Sequence, residues 1–367
     1  MTPAPERVLV AMSGGVDSSV AAALLVEAGH QVVGVTMKTF CYSGTTDHGR
    51  ACCGLDGIQD ARRVADRLGV PHYVFDVEEA FTRDVIDDFV AEYARGRTPN
   101  PCVNCNANTK FRDLLARGRQ LGCDAIASGH YVRVRHAPEG SRLLRGRDPA
   151  KDQAYFLWGL PPELLPRLRF PVGELTKPEV RARARALGLA TAEKPESQEI
   201  CFVPTGDYRD LLRRRIGARH PALTPGPLVR RDGTVVGEHP GYAGYTVGQR
   251  RGLGGGFAEP LYVLEVRPGT REVVVGTRAE LQARGVVVER PHWLAPPPEP
   301  GDAVAVQIRH RAAAVPATVR ARDPERLVLD FDDAPRPAVT PGQSAVVFRG
   351  DEVLGGGRIE SPADPVS

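Results

Sequence analysis

The apolar run "RVLV" (residues 7–10) passes through "AMSGGVDSS" (11–19) into "VAAALLVEAG", so a strand hands over to a helix across a pair of glycines. No other stretch constrains the fold as tightly. Glycine tolerates φ > 0 and lets backbone N–H groups approach an anion, and the helix that follows offers roughly half a positive elementary charge at its N-terminus. Ser13, Gly14, Gly15, Ser18 and Ser19 therefore suit a pyrophosphate or a triphosphate. The segment is neither GxxxxGK[ST], since it has no Lys, nor GxGxxG.

The same handover recurs. "RVLVAM" (7–12), "QVVGVTM" (31–37), "HYVFDV" (72–77) and "DAIASGH" (124–130) read as strands. Between them, "DSSVAAALLVEAG" reads as a helix closed by Gly29, "LDGIQDARRVADRLG" as one capped by Asp56 and stopped by Gly69, and "EEAFTRDVIDDFVAEYARG" as a long third helix. Repeated βα units imply an α/β fold with a parallel sheet covered on both faces, whose ligands sit at the carboxyl ends of the strands. From about residue 206 the texture changes to short β-like runs split by Gly and Pro turns, and "WLAPPPEPGD" (293–302) reads as a linker or the edge of a new module. The expected organisation is a nucleotide-binding domain over 1–205, a small β-rich central domain over 206–282 and a C-terminal β-barrel over 283–367.

A chain of 367 residues is long enough for two or three domains. It has no apolar run near the roughly 20 residues of a membrane span, and "MTPAPERVLV" lacks a signal-peptide layout, so the expectation is a cytoplasmic protein with no membrane partner. Net charge is only +3, but all except five of the 48 basic residues are Arg, which fits arginine-mediated phosphate recognition and equally a GC-rich genome. Seven cysteines in such a chain argue against a disulfide framework and leave catalysis, metal binding or burial.

In "GRTPNPCVNCN" (96–106) two prolines and no periodicity predict a loop leading into the helical run "ANTKFRDLLARGRQLG". Cys105, placed just before that helix, gains thiolate character from the positive helix end and is a nucleophile candidate. Cys201, in the strand-like "EICFV", reads on its own as a core residue, and so does Cys123 in "LGCDAIA".

"SGGVDSS" resembles the PP-loop of the ATP pyrophosphatases, which cleave ATP between its α and β phosphates. Together with "TPNPCVNCN", "SGHYVR", "LLRGRDPAKDQAYFL", "FPVGELTKPEVR", "SQEICFV", "YTVGQRRGLG" and "TPGQSAVVF", it closely resembles the tRNA-specific 2-thiouridylases, the MnmA family, in order from near residue 8 to near residue 360. The resemblance implies that Ala11, Met12, Ser13, Gly14, Gly15, Val16, Asp17, Ser18, Met37 and Gly129 bind ATP. It implies that Cys105 is the nucleophile and that Cys201 carries sulfur as a persulfide. Lys151, Asp152, Gln153, Arg309 and His310 match tRNA-contacting positions, His130 and Gln343 match positions that hold the target base, and Asn100, Pro101 and Cys102 form the target-base loop. The implied reaction is ATP-dependent 2-thiolation of the wobble uridine, by a monomer using ATP and Mg²⁺ and served by a sulfur-donor protein, either a cysteine desulfurase or a sulfur-relay protein. Asp17 and Ser18 are expected to orient the ATP and its Mg²⁺.

One position departs from the pattern. Many members of the family have Asp where this chain has Cys102, and Cys102, Cys105 and Cys201 together supply three thiolates, the number needed to hold a [4Fe–4S] cluster with one iron open. A zinc site has no second matching pair. Cys41, Cys52 and Cys53 crowd a Gly-rich loop after the Met37 strand, with packing as their plain reading. Arg142, Arg145, Arg147 and Lys151, with "LLRRRIG" (211–217) and "IRHR" (308–311), outline a phosphate-contacting footprint, while Arg181, Arg183 and Arg185 spread around a helix and point nowhere in common. Two rivals stand beside the thiolation reading: a PP-loop synthetase with a small-molecule acceptor, and a tRNA-binding module for which ATP is only a conformational ligand.

Overall fold

β1 (Arg7–Ala11) and its neighbours are rich in Val, Leu and Ala with almost no polar alternation, because both faces are covered. The computed structural model describes residues 5–39, 55–195, 200–203 and 206–363. Cys41, Cys52 and Cys53 lie outside them. The chain divides into two units: residues 1–85, 102–206 and 351–353 form the first, and residues 86–101, 207–350 and 354–367 the second.

In the first unit β1, β2 (Gln31–Lys38), β3 (His72–Asp76), β4 (Ala125–Ser128) and a short strand at Leu168–Arg169 make a parallel sheet in which β1 lies between β2 and β4. Strand order turns around at β1, so the crevice beyond the carboxyl ends of β1 and β4 is the switch point where such sheets bind ligands. Helix α1 (Val16–Glu27) is buried nearly all round. Its Ala21, Ala22 and Ala23 let neighbouring elements approach closely, while α2 (Leu55–Leu68) buries Gly57, Ile58, Ala61, Val64 and Ala65 and turns its arginines outward. Because α2 begins by Leu55, Asp56 belongs to its first turn and is not its N-cap. The expected long third helix is a continuous rod of an α-helical turn (Glu78–Phe81), a π-helical turn (Thr82–Ile86) and an α-helix (Asp87–Ala94).

The second unit contains a four-stranded sheet of Tyr262–Arg267, Glu272–Gly276, Gly226–Val229 and Val235–His239. It also contains a closed six-stranded barrel, in the order Gly285–Trp293, Arg326–Phe331, Val315–Arg322, Ala303–Gln307, Ser344–Arg349 and Glu352–Ala363, with the last strand pairing back to the first. Closure leaves no edge strand to aggregate, and the inward faces of alternating Val, Leu and Ile fill the interior. "WLAPPPEPGD" lies inside this barrel, joining its first strand to Ala303–Gln307, and so is not a linker between modules. Its prolines lack the N–H that a ladder needs, which confines it to a connection.

Residues 86–101 belong to the second unit although they precede the cysteine segment. Phe89 and Tyr93 pack with Tyr208, with the two tyrosines stacked at 4.3 Å. Glu92 is 1% exposed and meets Arg97 at 2.9 Å, Arg95 at 3.2 Å and Arg358 at 3.5 Å, and Arg97 also donates to Glu289. A carboxylate this deep is tolerable only because three guanidiniums face it.

Candidate active site

The phosphate loop grows out of β1. Gly14 has φ +72°, and a Cβ there would lie 2.2 Å from the Gly57 carbonyl oxygen, so only glycine fits both the conformation and the space. Gly15 is the N-cap of α1 with extended backbone and no side-chain cap, which leaves first-turn N–H groups available to an anion. The serines shape the loop: Ser18 Oγ accepts from Ser13 N at 3.2 Å and donates to Gly15 O at 3.1 Å, and Ser19 Oγ donates to Gly15 O at 2.8 Å. Met12 is buried, Met37 is half-buried on β2, and its neighbour Thr36 on the same strand donates its hydroxyl to Met12 O at 2.7 Å.

The loop has no lysine of its own, yet one reaches it. Lys177, 8% exposed at the start of the helix Lys177–Ala186, places Nζ 2.7 Å from Asp17 Oδ1 and 2.8 Å from Oδ2. Tyr131 Oη donates to the same Oδ1 at 2.7 Å. Neither residue is signalled by local sequence, because contact with Asp17 depends on how separate βα units pack. Asp17 is thus tied to protein groups, and Ser18 to the loop backbone.

The second strand end closes on the first. A Cβ on Gly129 would lie 2.5 Å from both the Asp17 carbonyl carbon and Ser18 N, so β4 ends with its backbone pressed against the loop. His130 follows, 9% exposed. Its Nδ1 shares a 2.7 Å hydrogen bond with Ser128 Oγ, and its ring lies 5.8 Å from Phe111 and 6.2 Å from Phe170. Burial, reinforced by the Lys110 charge, pushes the His130 imidazole well below its ordinary pKa and keeps it neutral.

Phe111 belongs to the cysteine segment, and here the structure corrects the expected loop. An α-helical turn (Pro101–Asn104), a π-helical stretch (Cys105–Asp113) and an α-helix (Leu114–Gln120) run on without a break. Pro101 takes the first helical position, where its missing N–H costs nothing. Cys105 therefore lies one turn inside the helix, and the exposed Cys102 occupies the first turn, where the field of the helix end is strongest. A π-helical stretch of this length is unusual, and such segments concentrate at functional sites.

Cys201 is corrected too: Ile200–Val203 is a turn closed by Val203 N donating to Ile200 O at 2.9 Å, with no strand. Its neighbour Phe202 is buried edge-on against Phe81 at 5.7 Å, and the turn Glu78–Phe81 also packs on Cys105–Asp113. One helical turn is thus a common neighbour of both cysteine segments. Cys105 and Cys201 are half-buried, whereas Cys123 is buried and its thiol is raised by desolvation. Among the described residues no three His, Cys, Asp or Glu side chains gather to hold a metal, so Cys102, Cys105 and Cys201 as placed do not fit a [4Fe–4S] cluster.

The expected RNA-contacting residues divide by where their polar groups point. Asp152 accepts from Arg145 Nη1 (2.7 Å), Gly146 N (3.0 Å) and Ala154 N (3.1 Å), and Gln153 Oε1 accepts from Tyr131 N at 2.9 Å. Both organise a turn from within, next to half-buried Lys151. Arg142 pairs with Glu352 and Arg147 with Glu179, so carboxylates already meet much of the expected footprint. Arg213 pairs with Asp210, Arg183 with Glu27 and Arg185 with Glu193, while Arg181 donates to Ala192 O.

In the second unit Arg309 and His310 are exposed on a turn whose two carbonyls accept from buried Gln307 Nε2, at 3.2 and 2.8 Å. Gln343 Nε2 donates to Thr98 O at 2.8 Å and Pro99 O at 3.4 Å, and so fixes the approach to half-buried Asn100.

Three family models match the chain: a tRNA methyl transferase HUP domain over residues 6–205, a tRNA methyl transferase PRC-barrel domain over 211–277 and an aminomethyltransferase beta-barrel domain over 283–359. The tRNA-specific 2-thiouridylase MnmA of Rhodospirillum centenum is 49% identical over 365 residues, covering 97% of this chain and 92% of that protein. Its counterpart in Geobacter metallireducens is 50% identical over 363 residues, with 98% of each chain covered, and that in Geotalea uraniireducens is 49% identical over 360 residues, covering 97% and 95%.

Proposed function

The chain belongs to the tRNA-specific 2-thiouridylase family, and on that premise we propose how its own residues carry out ATP-dependent 2-thiolation of the wobble uridine. One observation carries the assignment of roles: β4 ends with Gly129 against the Asp17–Ser18 peptide and continues with His130 against Phe111 of the cysteine helix. A single strand end thus adjoins both the phosphate loop and the segment bearing Cys105.

Ala11 to Ser18, with Met37 and Gly129, receive ATP. First-turn N–H groups of α1 meet the phosphates, while Lys177 and Tyr131 fix Asp17 beneath them. Mg²⁺ supplies charge neutralisation as the counter-ion of ATP; Asp17, already bridged by Lys177 and Tyr131, is not assigned to it. The uridine C2 oxygen attacks the α phosphorus, the bond from that phosphorus to the β-phosphate oxygen breaks, and pyrophosphate leaves. The oxygen of C2, formerly a poor leaving group, then departs as part of AMP.

The incoming atom is the terminal sulfur of a Cys201 persulfide, loaded by a sulfur-donor protein. It adds to C2, and AMP is expelled. Cys105 thiolate then attacks the Cys201 sulfur, and the S–S electron pair passes to the sulfur on C2 as the thiocarbonyl forms. The terminal sulfur is reduced and the two cysteines are oxidised to a Cys105–Cys201 disulfide, which an external thiol reductant reopens. His130, Gln343, Asn100, Pro101 and Cys102 hold the target base, and Lys151, Asp152, Gln153, Arg309 and His310 contribute to the tRNA surface. We retain the division into 1–205, 206–282 and 283–367, and derive no step through an iron–sulfur cluster. Among the described residues no helix is long and apolar enough to cross a membrane.

The test is to supply unmodified tRNA, ATP, Mg²⁺ and a persulfide donor and to assay 2-thiouridine by mass spectrometry. Product should form with equal AMP and pyrophosphate in protein stripped of iron. AMP and pyrophosphate without 2-thiouridine would refute the thiolation reading, and activity confined to cluster-reconstituted protein would replace the persulfide route.

A further inference from the structure

The segment "YTVGQRRGLGGG" (245–256) carries two arginines for which the reaction above has no use. Its backbone is satisfied from within. Gln249 Oε1 accepts from Thr246 N at 3.1 Å, Gln249 Nε2 donates to Arg251 O at 2.8 Å, Tyr245 Oη donates to Gly252 O at 3.0 Å, and Val263 exchanges hydrogen bonds with Gly248 and Gln249. Leu253 is buried and pins the turn, which leaves the Arg250 and Arg251 side chains exposed. With Gln249 they line a cavity of about 530 Å³.

A third guanidinium stands nearby in the same unit: a Cβ built on Gly248 would lie 3.6 Å from Arg309 Nη2. Among the described residues, none of Arg250, Arg251 and Arg309 makes an ion pair, in contrast to Arg142, Arg145 and Arg147. Three unneutralised guanidiniums repel one another and are relieved by an anion, for which their planar donor sets suit phosphate. The described lining residues, Gln249, Arg250 and Arg251, are all polar and two are guanidiniums, a donor set suited to the sugar–phosphate backbone. Past the turn, Gly254, Gly255 and Gly256 have open space where side chains would stand, which lets a polymer come close. Thr98 Oγ1 donates to Thr246 Oγ1 at 3.0 Å, so this basic turn adjoins the segment that leads to Asn100 and Pro101.

We propose that Gln249, Arg250, Arg251 and Arg309 form a backbone-phosphate subsite for the tRNA strand that delivers the wobble uridine. The proposal rests on the thiolation reading. The experiment measures tRNA affinity of the full chain against salt concentration, for wild type, for the double variant Arg250→Ala/Arg251→Ala and for Arg250→Lys/Arg251→Lys, with ATP affinity and melting temperature as controls for folding.

The alanine pair should weaken binding at least about tenfold at low salt and reduce the slope of log Kd against log salt by about 1 to 2, one unit for each phosphate that no longer meets a guanidinium. The lysine pair should recover most of the slope. An unchanged slope overturns the subsite, whether affinity is kept or falls equally at every salt concentration. So does a defect seen only in loading by a sulfur-donor protein, which would make the turn a protein-docking surface. If wild type forms 2-thiouridine while the alanine pair keeps the wild-type slope, the subsite alone fails. If wild type forms none, the underlying reading fails.

Discussion

The phosphate loop and the two cysteine segments share the first unit but are built by different means. The loop sits where β1 meets α1, fixed by a parallel ladder on both sides, by a glycine that nothing else can replace and by the Gly129 backbone pressed on it. Cys105 instead lies at the head of a π-helical stretch, and Cys201 in a turn closed by the Val203 N to Ile200 O hydrogen bond beside the buried Phe202. Adenylation needs fixed donors aimed at developing phosphate charge, which a strand-to-helix joint supplies without reorganisation. The sulfur transfer proposed above asks one cysteine to meet in turn a donor, a uridine and a second cysteine, and a site on local turns suits such successive partners.

That contrast can be broken most sharply at the cysteines. Cys105→Ser and Cys201→Ser should each lower 2-thiouridine formation by about 10³-fold or more, the scale of losing a nucleophile, while tRNA-dependent pyrophosphate release continues. Loss of pyrophosphate release in either variant would mean that the two halves are one site. Next in size is Gly129→Ala, whose Cβ would meet the Ser18 amide. We expect about 1–3 kcal/mol of destabilisation by overpacking and a matching loss of ATP affinity in calorimetry, with persulfide loading of Cys201 retained.

Lys177→Met should weaken ATP binding about tenfold, the scale of losing a hydrogen bond to a charged group, and Lys177→Arg should restore part of it. Equal ATP affinity in the methionine variant would remove Lys177 from the loop's support.

The smallest effect concerns His130, which follows Gly129 and packs against Phe111 of the cysteine helix. Its folded pKa is depressed, so in acid the unfolded chain takes up the proton first, and stability present above about pH 6.5 is lost as pH falls towards the folded value, by at most about 1.4 kcal/mol per pH unit. Replacing it (His130→Phe) should flatten that part of the denaturation profile as pH falls below about 6.5. An unchanged profile would mean that the imidazole is not held neutral between Ser128 and Phe111.

What the sequence discloses follows the range of its interactions. The glycines of the loop, the strands of the parallel sheet and the barrel are legible because their signals are local: periodicity, turn residues and a strand-to-helix joint. The helical state of Pro101–Asn104 is hidden by prolines and asparagines that read as loop, although Pro at a first helical position is favourable. Lys177 on Asp17, Gln343 on Thr98 and the carboxylates on Arg142 and Arg145 are not legible, since each pairing depends on tertiary packing. Which arginines already face a carboxylate is hidden for the same reason: charge count is visible in a sequence, and neutralisation is not.

The allegiance of residues 86–101 bears on the order in which the protein is completed at the ribosome. Synthesis proceeds from the N-terminus and domains fold as units, so Tyr93 emerges well before Tyr208, and Glu92 waits for Arg358, close to the end of the chain. The parallel sheet strands and the phosphate loop have been made long before then. Residues 86–101 therefore acquire their last ion-pair partner once the barrel is nearly finished, and in a nascent or C-terminally truncated chain Glu92 would stay without its Arg358 contact.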